Sequence, residues 1–219
     1  MHHYSIEKTH QLFHKGMGYV ADKHIYKFKD FSECVFETQI QSKWWLVETL
    51  VDERYRDRKI RGIDILASWY GIVIVPMLVN RLGYDIPINL YDVDEYTCDI
   101  AEHIYKDDLP QVKVHNKDVV FDRLDLKGNV VINCSCEHMM DMKYITNQFP
   151  DKLYVLQSNN NKNVKWLHIN CADGANELSR QAHLRKIYYG ESREFLGAKR
   201  IMVIGCLLYT SPSPRDSYG

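Results

Sequence analysis

The segment "VINCSCEHMMDM" (131–142) places polar and reactive side chains directly after three aliphatic residues. They are Asn133, Cys134, Ser135, Cys136, Glu137 and His138. A carboxylate and an imidazole can take up a proton near neutral pH, and amide and hydroxyl groups can orient a substrate amine or hydroxyl. Alternatively, Glu137 and His138 cap a helix that starts near Met139, and the cysteines are small buried side chains. The residue types leave both interpretations open.

Metal and disulfide chemistry were considered for the same segment. Cys134, Cys136 and His138 would share one face of a continuing strand. A structural zinc site normally needs four ligands, commonly as two separated pairs. For the second pair the sequence offers only Cys171 with His168. A disulfide between Cys134 and Cys136 would close a small strained ring. We therefore predict neither a metal site nor a disulfide here, and favour a loop that contacts substrate.

The elements that position this loop follow from the alternation of strands and helices after residue 60. Short apolar runs that read as strands are "IDILAS", "INLYDVD", "QVKVHNKD", "NVVINCS" and "KLYVLQSNN", with helical segments between them. Such alternation is typical of a mostly parallel sheet. The last two strands, "KIYYGES" and "KRIMVIG", are joined by a short connection, which makes an antiparallel pair. The prediction is an α/β sheet that ends in an antiparallel hairpin.

Three regions are expected along the chain. Residues 1–58 read as a helical N-terminal extension, in which "QSKWW" (41–45) could form a lid, and 59–205 as the sheet domain. The last residues, 206–219, break the pattern: "CLLYTSPSPRD" (206–216) resembles the translation of a common sequencing adapter. We predict that 206–219 is an artefact of that kind, disordered and outside the fold.

Composition and charge limit the classes of partner and the cellular compartment that we expect. The net charge of −1 argues against a nucleic-acid partner. No apolar run approaches the roughly 18 residues of a membrane helix. The N-terminus "MHHYSIEKTHQLFHK" lacks the apolar core of a signal peptide, and the expected location is cytoplasmic.

The ends of the first three strands carry candidate nucleotide-binding groups. The first strand ends in "LASWYG" (66–71), and about 20 residues later the second ends in "YDVD", a spacing at which an acid can bind ribose hydroxyls. Asp92 fits best, Asp94 is the alternative, and either could instead cap the next helix. Asp118, after the third strand, could accept from an adenine amino group or simply form a turn.

Together, the "SWYG" loop, Asp92, Asp118 and "VINCSCEHM" resemble the class I S-adenosylmethionine-dependent methyltransferase family. More narrowly, residues 60–205 are similar to small phage-type proteins with a "WYG" loop and an "N-x-S-C-E-H-M" segment. The resemblance implies a Rossmann-like fold of seven strands and S-adenosylmethionine as the cofactor. It implies a cofactor site made of Ala67, Ser68, Trp69, Tyr70, Gly71, Asp92, Val93, Asp118 and Cys134. Asn133, Glu137 and His138 are then the predicted catalytic residues, beside the transferable methyl group.

The first loop departs from the family pattern. Ile65 stands where the family has an acid, with Asp64 one place early, and Ala67 and Trp69 stand where glycines are usual. Glycine lets a backbone approach a ligand closely, so the pocket must be shaped differently. Trp69 or Tyr70 could present an aromatic face to the sulfonium cation, or both could be packed core residues.

The expected activity is methyl transfer to a small-molecule or protein acceptor. The altered loop keeps open an alternative, a non-catalytic binding module on the same fold. A nucleic-acid acceptor is disfavoured by the net charge and by the absence of an "N-P-P-Y"-like segment. The acceptor and the oligomeric state are not specified by the sequence.

Overall fold

The computed structural model describes residues 2–52, 59–163 and 168–207. Its centre is a sheet of seven strands in the order β3-β2-β1-β4-β5-β7-β6. Five strands are parallel neighbours: β1 (Ile63–Leu66), β2 (Ile88–Asp92), β3 (Val112–Asn116), β4 (Val130–Asn133) and β5 (Leu153–Asn159). Every residue of β1, β4 and β5 is buried, which explains their nearly continuous apolar sequences.

The predicted terminal hairpin is confirmed. The strands β6 (Lys186–Phe195) and β7 (Ala198–Cys206) are joined by Leu196 and Gly197, whose φ angles are 50° and 79°. Two residues with positive φ make the tight turn that matches the twist of a hairpin. β7 runs antiparallel to both β5 and β6. Both strands are longer than the sequence indicated.

The C-terminal boundary differs from the prediction by at least one residue. Cys206, which we assigned to the tail, is the last residue of β7, pairs with Lys186 and is buried. Its small apolar side chain completes the strand. Residues 208–219, which hold most of the predicted tail, lie outside the described residues.

Seven helices surround the sheet in the described part of the chain. Three precede it: α1 (His2–Lys23), α2 (Phe28–Glu33) and α3 (Glu37–Leu50). The others are α4 (Ile74–Leu82), α5 (Glu95–Tyr105), α6 (Lys143–Thr146) and α7 (Ala175–Gln181). Pro76 lies in the first turn of α4, where proline is tolerated. The helix predicted over "MMDMKYITNQF" is reduced to the short α6. None of the described helices is long and apolar enough to cross a membrane.

Side chains alternate between the two faces of the sheet and form two cores. On the first, which we call the α3 face, helices α1, α3, α4 and α5 pack against Ile63, Ile65, Ile132, Cys134, Val155 and Met202. On the second, the α7 face, the core contains Leu66, Val131, Leu156, Val203, Met139 and Leu178. Because successive residues of a strand point to opposite faces, the face of each strand-end residue is fixed by its position in the strand.

The helices before the sheet belong to the core of the α3 face. Leu12, Val20 and Phe31 are fully buried there. Surface contacts with the turn after α5 accompany this burial, including an ion pair between Lys15 and Asp108 at 2.8 Å. Exposed ion pairs contribute little free energy, so the buried apolar side chains hold this segment in place.

Gly62 and Gly128 approach each other closely just before β1 and β4 begin. A Cβ at Gly128 would lie 2.5 Å from the backbone oxygen of Gly62, whereas a Cβ at Gly18 in α1 would meet nothing within 4 Å. We predict that Gly128→Ala lowers the free energy of unfolding by about 1–3 kcal/mol through overpacking. Gly18→Ala should raise it by about 0.5–1 kcal/mol. Urea unfolding of both variants measures this, and equal stability of Gly128→Ala and wild type would contradict it.

Candidate functional site

Three adjoining cavities open at the carboxyl ends of the parallel strands. The central cavity, of about 420 Å³, lies between the loop after β1, the turn after β4 and helices α2 and α3. Its wall includes Asp30, Glu33, Gln39, Lys43, Ile65, Ala67, Ser68, Trp69, Asp92, Cys134, Ser135, Glu137, His138 and Arg200. The carboxyl edge of an open α/β sheet is where such folds bind ligands.

The second cavity, which we call the β2–β3 cavity, has a volume of about 310 Å³. It is mostly apolar, and its wall includes Val93, Asp118, Val119, Val120, Phe121, Met139 and Ile169. It shares Ala67, Asp92 and His138 with the central cavity. The two cavities therefore adjoin over the end of β2, and together we call them the cleft.

The third cavity, the outer cavity, has a volume of about 680 Å³ and is polar. Its wall includes Asn159, Asn160, Asn161, His168, Lys199 and the hairpin turn at Leu196 and Gly197. It shares Gln39, Glu137, His138 and Arg200 with the central cavity. His138 lines all three cavities and marks the point at which they meet.

The loop after β1 has the left-handed backbone that glycine favours at three positions, and only one of the three is a glycine. Ala67, Trp69 and Gly71 have φ angles of 46°, 52° and 64°. The left-handed region costs a residue with a Cβ roughly 1–2 kcal/mol. The loop is held by the Trp69 backbone N–H, which donates to Asp92 Oδ2 at 2.8 Å. Ala67, Ser68 and Trp69 line the central cavity, and their contact with a cofactor stays a prediction.

Tyr70 and Gly71 do not line any of the three cavities, which corrects their assignment to the cofactor site. Tyr70 is fully buried, and its hydroxyl donates to Asp30 Oδ2 at 2.7 Å. Burial, followed by the Asp30 carboxylate, raises the pKa of this phenol far above its usual value. Gly71 packs against Leu90 and Val75. Of the two rings considered for the sulfonium, only that of Trp69 lies at the cavity.

The acids after β2 have separate roles. Asp94 is the N-cap of α5, where its Oδ1 accepts from the backbone N–H groups of Tyr96 and Thr97 at 2.9 Å. Asp92 lines both the central and the β2–β3 cavities. Burial raises the pKa of Asp92 above its ordinary value, although the backbone N–H groups of Asp94 and Trp69 oppose this. Asp92 is therefore the acid that faces the cleft, and its contact with a ribose stays a prediction.

Asp118 forms a turn and also lines the β2–β3 cavity. Its Oδ1 accepts from the backbone N–H groups of Val120 and Phe121. The turn role that the sequence left open is present. An interaction of Asp118 with an adenine amino group stays a prediction.

Asn133 does not reach the cleft, which corrects its assignment as a catalytic residue. It is fully buried on the α7 face, where its Nδ2 lies 2.8 Å from the sulfur of Met139. Its Oδ1 accepts from the Ser135 backbone N–H at 2.8 Å. Strand alternation is the reason: Asn133 follows Val131 on that face, and the next residue, Cys134, points to the cavity. Burial raises the pKa of the Cys134 thiol, which favours its neutral form.

Glu137 connects the turn after β4 to the two neighbouring strands. It is 1% exposed. Its Oε1 accepts from Asn159 Nδ2 on β5 at 2.5 Å and from Arg200 Nη1 on β7 at 2.8 Å. Among the described residues, Oε2 is buried with no hydrogen-bond partner. The alternative in which Glu137 and His138 cap a helix is wrong, because these residues form a 3-10 turn and α6 begins only at Lys143.

Several wall residues were not predicted. Lys43 on α3 is half-buried, and its ammonium donates to Gln39 Oε1 at 2.6 Å. Burial lowers the pKa of Lys43. Its position in "QSKWW", the predicted lid, was the available signal. Arg200 gave no such signal, because its pairing with Asn159 across β5 and β7 depends on strand register. His168 entered the sequence analysis only as a candidate metal ligand with Cys171.

No protein-family model and no curated protein matches this sequence. Solved structures do match. The N-methyltransferase NodS from Bradyrhizobium japonicum WM9, in complex with S-adenosylhomocysteine, is 10% identical with a TM-score of 0.58. That alignment covers 91% of this chain and 98% of NodS. The mitomycin 7-O-methyltransferase MmcR is 11% identical, with a TM-score of 0.59 over 94% of this chain and 68% of MmcR.

A third match is a TehB-like S-adenosylmethionine-dependent methyltransferase from Corynebacterium glutamicum ATCC 13032, at 8% identity and a TM-score of 0.55. It covers 84% of this chain and 96% of that protein. These likenesses concern the fold, and the narrower similarity to phage-type proteins stays a prediction. The chain has the Rossmann-like fold of the S-adenosylmethionine-dependent methyltransferases.

The left-handed conformation at Ala67 can be tested by stability. At Ala67, glycine would remove strain of about 1–2 kcal/mol, which offsets the entropy that glycine costs, about 0.5–1 kcal/mol. We predict that Ala67→Gly leaves the free energy of unfolding unchanged or slightly higher. The control Ala101→Gly, in the interior of α5, should lower it by at least about 1 kcal/mol. Equal losses in the two variants would show that Ala67 is unstrained.

Proposed function

We propose that this protein is a methyltransferase that transfers a methyl group from S-adenosylmethionine to a small-molecule or protein acceptor. The observation that carries the proposal is the meeting of the three cavities at His138. Two adjoining cavities that could together hold an elongated cofactor meet there a polar cavity that could hold an acceptor. Methyl transfer needs this arrangement, because the attacking atom must lie in line with the methyl carbon and the sulfur.

The adenosine half of the cofactor is assigned to the β2–β3 cavity. The apolar side chains of Val119, Phe121 and Met139 suit the two faces of an adenine ring. Asp92, at the junction with the central cavity, would accept hydrogen bonds from the ribose hydroxyls. Val93 and Asp118 would lie at the edge of the adenine.

The methionine half is assigned to the central cavity. Its wall carries four carboxylates, from Asp30, Glu33, Asp92 and Glu137, against the two cations Lys43 and Arg200. This excess of negative charge suits a ligand that carries a sulfonium and an ammonium group. The half-buried Trp69 ring at the same wall supports a cation–π contact with the sulfonium. Lys43 would bind the carboxylate of the cofactor.

Helix α3 covers the central cavity and is proposed as its lid. It contributes Gln39 and Lys43 to the wall. It is attached to the sheet by Gln157 on β5, whose Nε2 donates to the backbone oxygen of Ser42 at 2.9 Å. A cover of this kind excludes water from the reacting groups.

The acceptor is assigned to the outer cavity. Asn159, Asn160 and Asn161 offer amide groups that can orient it, and His138 is suited by type to accept its proton. The net charge of −1 favours a small-molecule or protein acceptor over a polyanion. A non-catalytic binding module is not favoured, because the Trp69 ring lines the central cavity without filling it.

Calorimetry with S-adenosylhomocysteine tests the cofactor assignment. We predict that Asp92→Asn weakens binding by about 10- to 100-fold, because hydrogen bonds to a charged group contribute about 1.5–3 kcal/mol. Asp85→Asn removes an exposed charge outside the cleft and should leave the affinity unchanged. Folded wild-type protein that binds neither S-adenosylmethionine nor S-adenosylhomocysteine would refute the proposal.

The role of Lys43 predicts a difference between two ligands. Lys43→Met should weaken S-adenosylhomocysteine binding by about tenfold or more. It should leave the binding of 5′-methylthioadenosine, which has no carboxylate, unchanged. Lys29→Met, at an exposed position on α2, is the matched control. Equal weakening of both ligands by Lys43→Met would assign Lys43 a purely structural role.

The same assignment predicts a pH dependence. Burial lowers the pKa of Lys43 below its ordinary value of 10.5. The contribution of its charge to binding is complete at low pH and is lost as the pH rises through that lowered pKa. Wild-type affinity for S-adenosylhomocysteine should therefore decline with rising pH before the ordinary lysine range is reached. The decline should be reduced in Lys43→Met.

A further inference from the structure

We propose that Glu137, His138 and His168 bind a divalent transition-metal ion at the wall of the outer cavity. The ion site rests on the geometry of these three side chains. Its consequence for the acceptor rests on the proposed methyl transfer.

The three side chains converge from two segments of the chain. One potential ligand atom from each residue lies within 4.8 Å of the others. Glu137 Oε1 and His138 Nε2 are 3.9 Å apart, and the two imidazole ring centroids are 4.7 Å apart. Bonds of about 2.0–2.1 Å to one ion bring ligand atoms to roughly 3.3 Å from each other. Side-chain rotations that move the ligand atoms by about 1–2 Å or less would therefore bring all three within bonding distance of one ion.

His168 is oriented in the manner of a metal ligand. Its Nδ1 lies 2.7 Å from the backbone oxygen of Asn161. Because a carbonyl oxygen can only accept a hydrogen bond, this Nδ1 is the donor, and in the neutral imidazole Nε2 then presents a lone pair. Ligating histidines typically donate their other ring N–H to a carbonyl or carboxylate in this way.

Glu137 supplies the second, independent observation. Asn159 and Arg200 both bind Oε1, whereas Oε2 is buried with no partner among the described residues. An unsatisfied oxygen of a buried carboxylate is costly, and a cation would satisfy it. The hydrogen bonds to Oε1 resemble the outer contacts that orient a ligating carboxylate. Two imidazoles and one carboxylate suit zinc and its neighbours in the first transition row better than magnesium or calcium.

An ion in this position would define the class of acceptor. A hydroxyl group bound to the ion would lose its proton to solvent more readily, as metal-bound water does. The resulting oxyanion would attack the methyl carbon. The bond from that carbon to sulfur would break, and its electron pair would stay on the sulfur to give a neutral thioether. The inferred acceptor is a hydroxylated molecule that coordinates the ion, and the ion then takes over the proton-removing role of His138.

Zinc titration by calorimetry, in a buffer without chelating groups, tests the ion site. The full chain has a competing histidine pair on α1, because His10 and His14 have their Nε2 atoms 3.0 Å apart. The matched variants are therefore His168→Ala and His14→Ala, each checked for folding by circular dichroism. We expect His168→Ala to lose one equivalent of zinc or to bind it at least about tenfold more weakly. His14→Ala should keep that equivalent. Glu137→Gln should weaken the same equivalent.

Zinc binding with the same stoichiometry and affinity in His168→Ala and wild type would overturn the ion site. The same holds if every equivalent disappears with His14→Ala. Binding of S-adenosylhomocysteine to each variant separates this result from the cofactor assignment. His168 lines the outer cavity and not the central one, so His168→Ala should keep its affinity for S-adenosylhomocysteine. A wild-type protein that binds zinc through His168 but no S-adenosylhomocysteine would refute the methyl transfer and leave the ion site standing.

Discussion

The buried carboxylate of Glu137 is the interaction on which the arrangement of the cleft depends. It accepts hydrogen bonds from two neighbouring strands, through Asn159 of β5 and Arg200 of β7. A buried charge is tolerated only when it is paired, so these contacts fix the turn after β4 against the sheet. The same turn carries Cys134, Ser135 and His138 to the central cavity. The ion pair between Glu137 and Arg200 thereby lies at the boundary between the central and the outer cavities.

The sequence predicted the fold well because the fold depends on local patterns. Buried apolar runs marked the parallel strands, and the short connection between β6 and β7 marked the hairpin. Asp92 could be placed because it directly ends an apolar strand, at the spacing from the first loop that nucleotide-binding folds use.

The site was predicted less well because it depends on which face of the sheet a residue takes and on strand register. Asn133 was predicted to face the cleft, but the alternation of side chains along β4 points it to the α7 face, and its neighbour Cys134 faces the cavity instead. Tyr70 is buried in the core, and its hydrogen-bond partner there is Asp30, a residue 40 positions earlier. Arg200 and His168 lie beside Glu137 in the structure but far from it in the sequence. No local pattern in the sequence predicts such a contact. Ala67 and Trp69 stand where the family has glycines, and both adopt the left-handed backbone that glycine favours. The missing glycines are therefore a weaker argument against a loop of the family type than the sequence suggested.

The reversed direction of β7 has a consequence for how this protein can diversify. Because β7 runs against β5, the first residues of β7 and the turn before it lie at the edge where the parallel strands end. Leu196, Gly197 and Lys199 thus form part of the outer cavity and touch neither the central nor the β2–β3 cavity. Insertions and replacements at a hairpin tip are well tolerated by a sheet. Exchange of this tip would therefore change the proposed acceptor cavity and leave the proposed cofactor cleft untouched.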